Sequence, residues 1–117
     1  MQVLHQLRRE SMNHHAANEM VKNLFDQIDK EVKDFVRQIC ADTNLDEEKV
    51  YYKTNFEHMM YVIRLYHTEH KQQVCYSIPI DEFLIACQQQ KLEDLLNHKI
   101  REMLMMFGQS KEEVIYI

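Results

Sequence analysis

Residues 60–79, "MYVIRLYHTEHKQQVCYSIP", decide the fold. Tyr61, Ile63 and Leu65 alternate with Met60, Val62, Arg64 and Tyr66. Beyond a polar break, Val74, Tyr76 and Ile78 alternate with Cys75 and Ser77. A period of two in β-branched and aromatic residues reads as two strands, over 59–67 and 72–80. The intervening Thr68-Glu69-His70-Lys71 has hairpin length. Pro79 lacks the N–H that a ladder needs, which suits a strand end.

On either side of this hairpin the period changes. From Met12 through Ala16, Met20, Leu24, Ile28, Val32, Phe35 and Ile39, apolar residues recur at steps of three and four, the spacing of one helix face. Ser11 is placed to cap that helix, which should run to about Cys40. Asp46, Glu47 and Glu48 suit a short helical turn, and Val50–Thr54 is β-prone. After the hairpin, Asp81 is a plausible N-cap. A second stripe runs through Leu92, Leu95, Leu96, Ile100, Met103, Leu104 and Phe107, with a break expected near Gln88–Gln90 and a stop at Gly108. The tail is ambiguous: Ser110-x-x-Glu113 matches a capping box, while Val114–Ile117 suits a strand.

The chain therefore reads as one α+β domain over residues 1–117. It has a long N-terminal helix, a small antiparallel sheet (a hairpin or a three-stranded meander) and one or more C-terminal helices. A hairpin alone is marginal in water, so a third strand should come from 50–54, from 114–117 or from another protomer. Leu24, Phe25, Ile28, Phe35, Leu95, Leu96 and Ile100 form the expected core.

Composition narrows the function. The 117 residues carry a net charge of −5 and a single glycine. No basic run offers a footprint for a phosphate backbone, so direct nucleic-acid binding is not expected. Phosphate-cradling loops need more glycine. No apolar run approaches a membrane span, and the N-terminus "MQVLHQLRRE" lacks the apolar stretch of a secretory signal. Cys40, Cys75 and Cys87 sit among apolar neighbours without a C-x-x-C, like small buried hydrophobes in a reducing compartment. A cytoplasmic location follows.

The α-β-β-β-α order resembles that of double-stranded RNA-binding domains, a resemblance of topology alone. Their last helix opens on a basic run, whereas this one opens "DEF".

"YHTEH", Tyr66–His70, is the stretch that most resembles chemistry. It lacks the H-E-x-x-H arrangement that supplies two ligands and a base, and zinc needs a fuller set. A solvated turn is the simpler expectation, with no catalytic, cofactor or metal site. His14-His15 point about 100° apart on a helix and do not share an ion easily. Tyr51, Tyr52, Tyr61, Tyr66 and Tyr76, near Lys53, Arg64 and Lys71, could stack bases or pack against protein.

The expected function is a small non-enzymatic interaction or regulatory module that binds a protein partner, as a homodimer. A stripe on so long a helix should overhang so small a domain. The contact surface should then centre on Met20, Leu24, Ile28 and Val32, or on the Met-rich end at Met105 and Met106. Two other readings are open. One is an acidic nucleic-acid mimic or inhibitor of a nucleic-acid-handling enzyme, of the kind phages and mobile elements encode. The other is a metal-dependent enzyme using His67 and His70.

Overall fold

The computed structural model describes residues 14–117, with side chains from Lys22 onward. Helix α1 spans His14–Thr43 and a 3₁₀ turn spans Glu47–Lys49. Strands β1 (Val50–Glu57), β2 (Met60–His67) and β3 (Gln72–Pro79) follow. Helices α2 (Ile80–Gln88) and α3 (Leu92–Met105) lead to β4 (Val114–Tyr116). The architecture is α+β. The sheet is larger than a hairpin or meander: four strands lie in the order β1-β2-β3-β4, and both candidate extra segments contribute one. β1 to β3 pair antiparallel, and β4 joins β3 in parallel.

Two helices end in the same way. Asn44 adopts φ 60°, and the Leu45 N–H reaches back to the Cys40 carbonyl at 3.0 Å. That six-to-one bond is a Schellman stop, and it turns Leu45 onto the core. α1 therefore runs three residues beyond Cys40. Gln90, at φ 58°, ends α2 likewise through Lys91 N–H to Ala86 carbonyl at 2.9 Å, which is the break expected at Gln88–Gln90. Gly108, at φ 80°, follows α3. Pro79, rather than Asp81, occupies the N-cap position of α2. Asp81 and Glu82 lie in the first turn, where the helix dipole favours acids. Ser11 and Met12 lie outside the described residues.

The three helices of the described residues pack on one face of the sheet. β2 directs Tyr61, Ile63, Leu65 and His67 inward, and β3 adds Val74 and Ile78. Against them lie Leu24, Ile28, Val32, Val36 and Ile39 of α1, Phe83 of α2, and Leu96, Ile100, Met103 and Leu104 of α3. Of the expected core, Leu24, Ile28, Leu96 and Ile100 are buried, while Phe25, Phe35 and Leu95 are half-buried at its margin. Cys40, Cys75 and Cys87 are free and buried.

This packing buries much of the stripe expected to face a partner. Leu24, Ile28 and Val32 are at most 2% exposed, covered by the chain's own sheet and α3. The reason is that α1 lies along the sheet rather than projecting past it at these positions. A partner cannot use those side chains without opening the core. Met105 is exposed and Met106 packs partly against the core. The Met20 side chain lies outside the described residues.

Candidate interaction surface

The opposite face of the sheet carries no helix among the described residues, and its side chains stand in ordered rows. Cross-strand pairing sets Tyr51, Tyr66, Gln73 and Val114 side by side. The next row is Lys53, Arg64, Cys75 and Tyr116, followed by Asn55, Val62 and Ser77. Tyr51, Tyr66 and Tyr116 are 61%, 39% and 79% exposed, and Val114 is also open to solvent. Val62 and Cys75 are buried beneath their neighbours and form the floor. Arg64 is ion-paired with Glu57, which raises the guanidinium pKa and lowers that of the carboxyl through their hydrogen bond. Lys53 is exposed. The face is thus a mostly neutral, tyrosine-studded plate.

Exposed apolar surface among the described residues is concentrated on the sheet. Among the described residues, nine large apolar or aromatic side chains are exposed. Seven of these (Tyr51, Tyr52, Phe56, Met59, Tyr66, Val114 and Tyr116) lie on the sheet or its first turn. β1 and its turn carry four of them. Its inward side is held by Phe56 stacked on Phe25, with ring centroids 5.0 Å apart, and by Thr54, whose hydroxyl donates to Asp29 of α1. Tyr52 and Phe56 point toward the helical layer yet stay partly open, because no further strand lies beyond β1 among the described residues. A groove of about 250 Å³ runs there between Val50 and Tyr52 on one side and Lys33, Val36 and Arg37 on the other. The β1–β2 turn is His58-Met59, both at positive φ, with Met59 exposed.

The YHTEH histidines are not both solvated. His70 is exposed, but His67 is 3% exposed, a correction to the reading of this stretch as a surface turn. His67 Nδ1 accepts the backbone N–H groups of Glu69 and His70, each at 3.2 Å, so the imidazole itself shapes the turn. Its ring contacts His70 and Phe107, with centroids 4.5 and 5.3 Å away. Burial, and then the neighbouring His70, push the His67 pKa down. Nδ1 is committed to the turn, and no group of three or more His, Cys, Asp or Glu among the described residues is placed to hold a metal. The side chains of His14 and His15 lie outside the described ones.

Next to this turn, buried Gln72 donates to the carbonyls of Ser110 and Glu112 and accepts the Gly108 N–H at 2.8 Å. That clamp fixes the loop leading into β4. On the far side of the molecule, Glu31 of α1 and Glu93 of α3 both line a cavity of about 340 Å³. Burial, and then Glu93, raise the Glu31 pKa, and its Oε2 is buried without a hydrogen-bond partner. Burial likewise pushes the Cys87 thiol up to about 11 and the Cys40 thiol upward, so neither is primed as a nucleophile. No helix among the described residues is long and apolar enough to cross a membrane.

Comparison with known proteins matched no family model. No curated protein matches the chain, and no solved structure does.

Proposed function

We propose that this chain is a small non-enzymatic interaction module whose partner-binding surface is the uncovered face of its sheet. One observation carries the reading: Tyr51, Tyr66, Tyr116 and Val114 stand exposed in adjacent rows on a four-stranded support. Tyrosine offers a large, stiff, amphipathic contact with little rotamer entropy to lose, and it is enriched at protein interfaces. The surface charge favours a protein over a polyanion, because Arg64 is already engaged by Glu57. A homodimeric state and a reducing, cytoplasmic setting belong to the same proposal. The crowding of exposed apolar groups on one edge strand supports the first, and three free, buried cysteines support the second.

The test is a comparative capture. Tagged wild-type protein and a Tyr51→Ala/Tyr66→Ala/Tyr116→Ala variant with matching circular dichroism melts are used as baits in the native host. Saturable binding of a protein to the wild type, at least tenfold weakened in the variant, is the expected result. Equal binding by both would place the partner surface elsewhere. Tight binding of single-stranded oligonucleotides, lost in the variant, would replace the protein partner with a nucleic acid.

A further inference from the structure

We infer that a second copy of this chain adds antiparallel to β1, joining the two sheets into one continuous eight-stranded sheet across a two-fold axis near Thr54. This inference rests on the dimer reading and names its surface. β1 is an edge strand of eight residues without proline or bulge, and it carries Tyr51, Tyr52 and Phe56 in partly exposed positions. Edge strands of monomers are ordinarily short, charged, kinked or covered.

The direction of its backbone groups follows from the turn. A two-residue connection makes Glu57 and Met60 a hydrogen-bonded pair, so the odd-numbered residues of β1 bond to β2. The Lys49 carbonyl obeys the same parity, accepting from Thr68. Tyr52, Thr54 and Phe56 then present their N–H and C=O groups away from β2, into the open edge.

Pairing β1 with itself has few registers that keep like faces together. Centred on Lys53, it opposes two lysines, which is unfavourable. Centred on Tyr52, it runs the partner into the 3₁₀ turn at Glu47–Lys49. Centred on Thr54, it pairs Tyr52 with the partner's Phe56, Lys53 with the partner's Asn55 and Tyr51 with the partner's Glu57. The even-numbered pairs are then the hydrogen-bonded ones. The two half-open aromatic side chains of the edge cover each other.

The helical layer agrees with this axis. Asp29 of α1 meets Thr54, which puts the two-fold beside Asp29. Lys33 lines the groove along the free edge, and Asp26, two turns earlier, lies on the same flank. Both are exposed. The axis brings each Asp26 toward the partner's Lys33, so this one pair of flanking charges is complementary.

The experiment combines mass with register. Light scattering at rising micromolar concentration should give twice the 14.3 kDa chain mass. Tyr52→Pro removes one outward N–H, which an edge strand tolerates, and should return the mass to that of one chain with little change in the thermal melt. Tyr52→Lys should do the same, should the proline variant fold poorly. A Lys53→Cys/Asn55→Cys variant should form a disulfide-linked dimer under mild oxidation, since opposite non-hydrogen-bonded positions lie within disulfide reach. A wild-type mass near 14 kDa at all concentrations would overturn the dimer itself. A dimer that survives Tyr52→Pro and Tyr52→Lys and forms no cross-link would leave the dimer standing and overturn the β1 edge as its seam.

Discussion

His67 and His70 form a unit: Nδ1 of the first accepts the backbone N–H of the second at 3.2 Å, and their rings lie 4.5 Å apart. Protonating Nδ1 would destroy that bond and charge a buried ring. The folded His67 pKa is lower than the ordinary 6.5, so the unfolded chain takes up this proton first as pH falls. The stabilisation is complete above about pH 6.5 and is lost as pH drops through the folded value. Urea midpoints should fall between pH 7.5 and 5.5. His67→Asn, whose amide oxygen can replace Nδ1 as acceptor, should flatten that slope, and an unchanged slope would remove His67 from the explanation. His67→Ala should cost about 1–3 kcal/mol through unpaired N–H groups and a void against Phe107, whereas His70→Ala should stay within about 1 kcal/mol.

His67 was in fact legible. It shares the parity of Tyr61, Ile63 and Leu65, and extending that alternation by one step places it inside. The polar composition of YHTEH masked the pattern. The His58-Met59 turn was not legible, because the pair lacks the Asn-Gly or Asp-Gly signature of a two-residue hairpin turn and so nothing announced that β1 continues to Glu57. Nor does a helical stripe say what covers it. Leu24, Ile28 and Val32 look the same in sequence whether a partner or the chain's own sheet lies above them. The tyrosine rows depend on register between three strand pairs, which no single segment contains.

Gln72 ties β3 to the loop before β4 through three hydrogen bonds. Gln72→Ala leaves the Gly108 N–H and two carbonyls without their partner, at a cost of about 1–3 kcal/mol. Amide hydrogen exchange should quicken first in residues 108–116, while β2 keeps its protection. Uniform loss of protection would show that the clamp supports the whole fold. Gly108→Ala should also destabilise, because φ is +80° and a Cβ would meet His70 Cε1 at 3.0 Å.

Glu31 works against stability at neutral pH. Its pKa is raised by burial and by Glu93, so the proton that favours the folded state is fully bound below the ordinary 4.5 and is lost as pH rises through the folded value. Glu31→Gln should therefore stabilise at pH 7 by roughly 0.5 kcal/mol, discounted for water that still reaches the pair. The gain should vanish at pH 4. A gain of equal size at both values would point to helix propensity rather than charge.

Burial grades the core. Leu96 is fully enclosed, and Leu96→Ala should cost about 2–5 kcal/mol. Phe35 sits at the margin, half-buried, so Phe35→Ala should cost less than a fully enclosed phenylalanine, roughly 1–3 kcal/mol. Denaturation midpoints that reverse this order would move Phe35 into the interior.

Thr54 and Tyr61 share one acceptor, Asp29 Oδ1, and so tie β1 and β2 to α1 through a single atom. The tyrosine hydroxyl donates at 2.7 Å. Burial, followed by the Asp29 carboxylate, drives its pKa far upward, so it stays a donor throughout the working range. Either hydroxyl alone still satisfies that oxygen. Thr54→Val and Tyr61→Phe should each cost about 1–2 kcal/mol, because one charge-assisted bond is lost while the other remains. Together they strip both donors from the carboxylate, and the double variant should exceed the sum of the singles by at least about 0.5 kcal/mol. Strict additivity in a double-mutant cycle would mean that water replaces the missing donors and that Asp29 is not what joins the helix to the sheet.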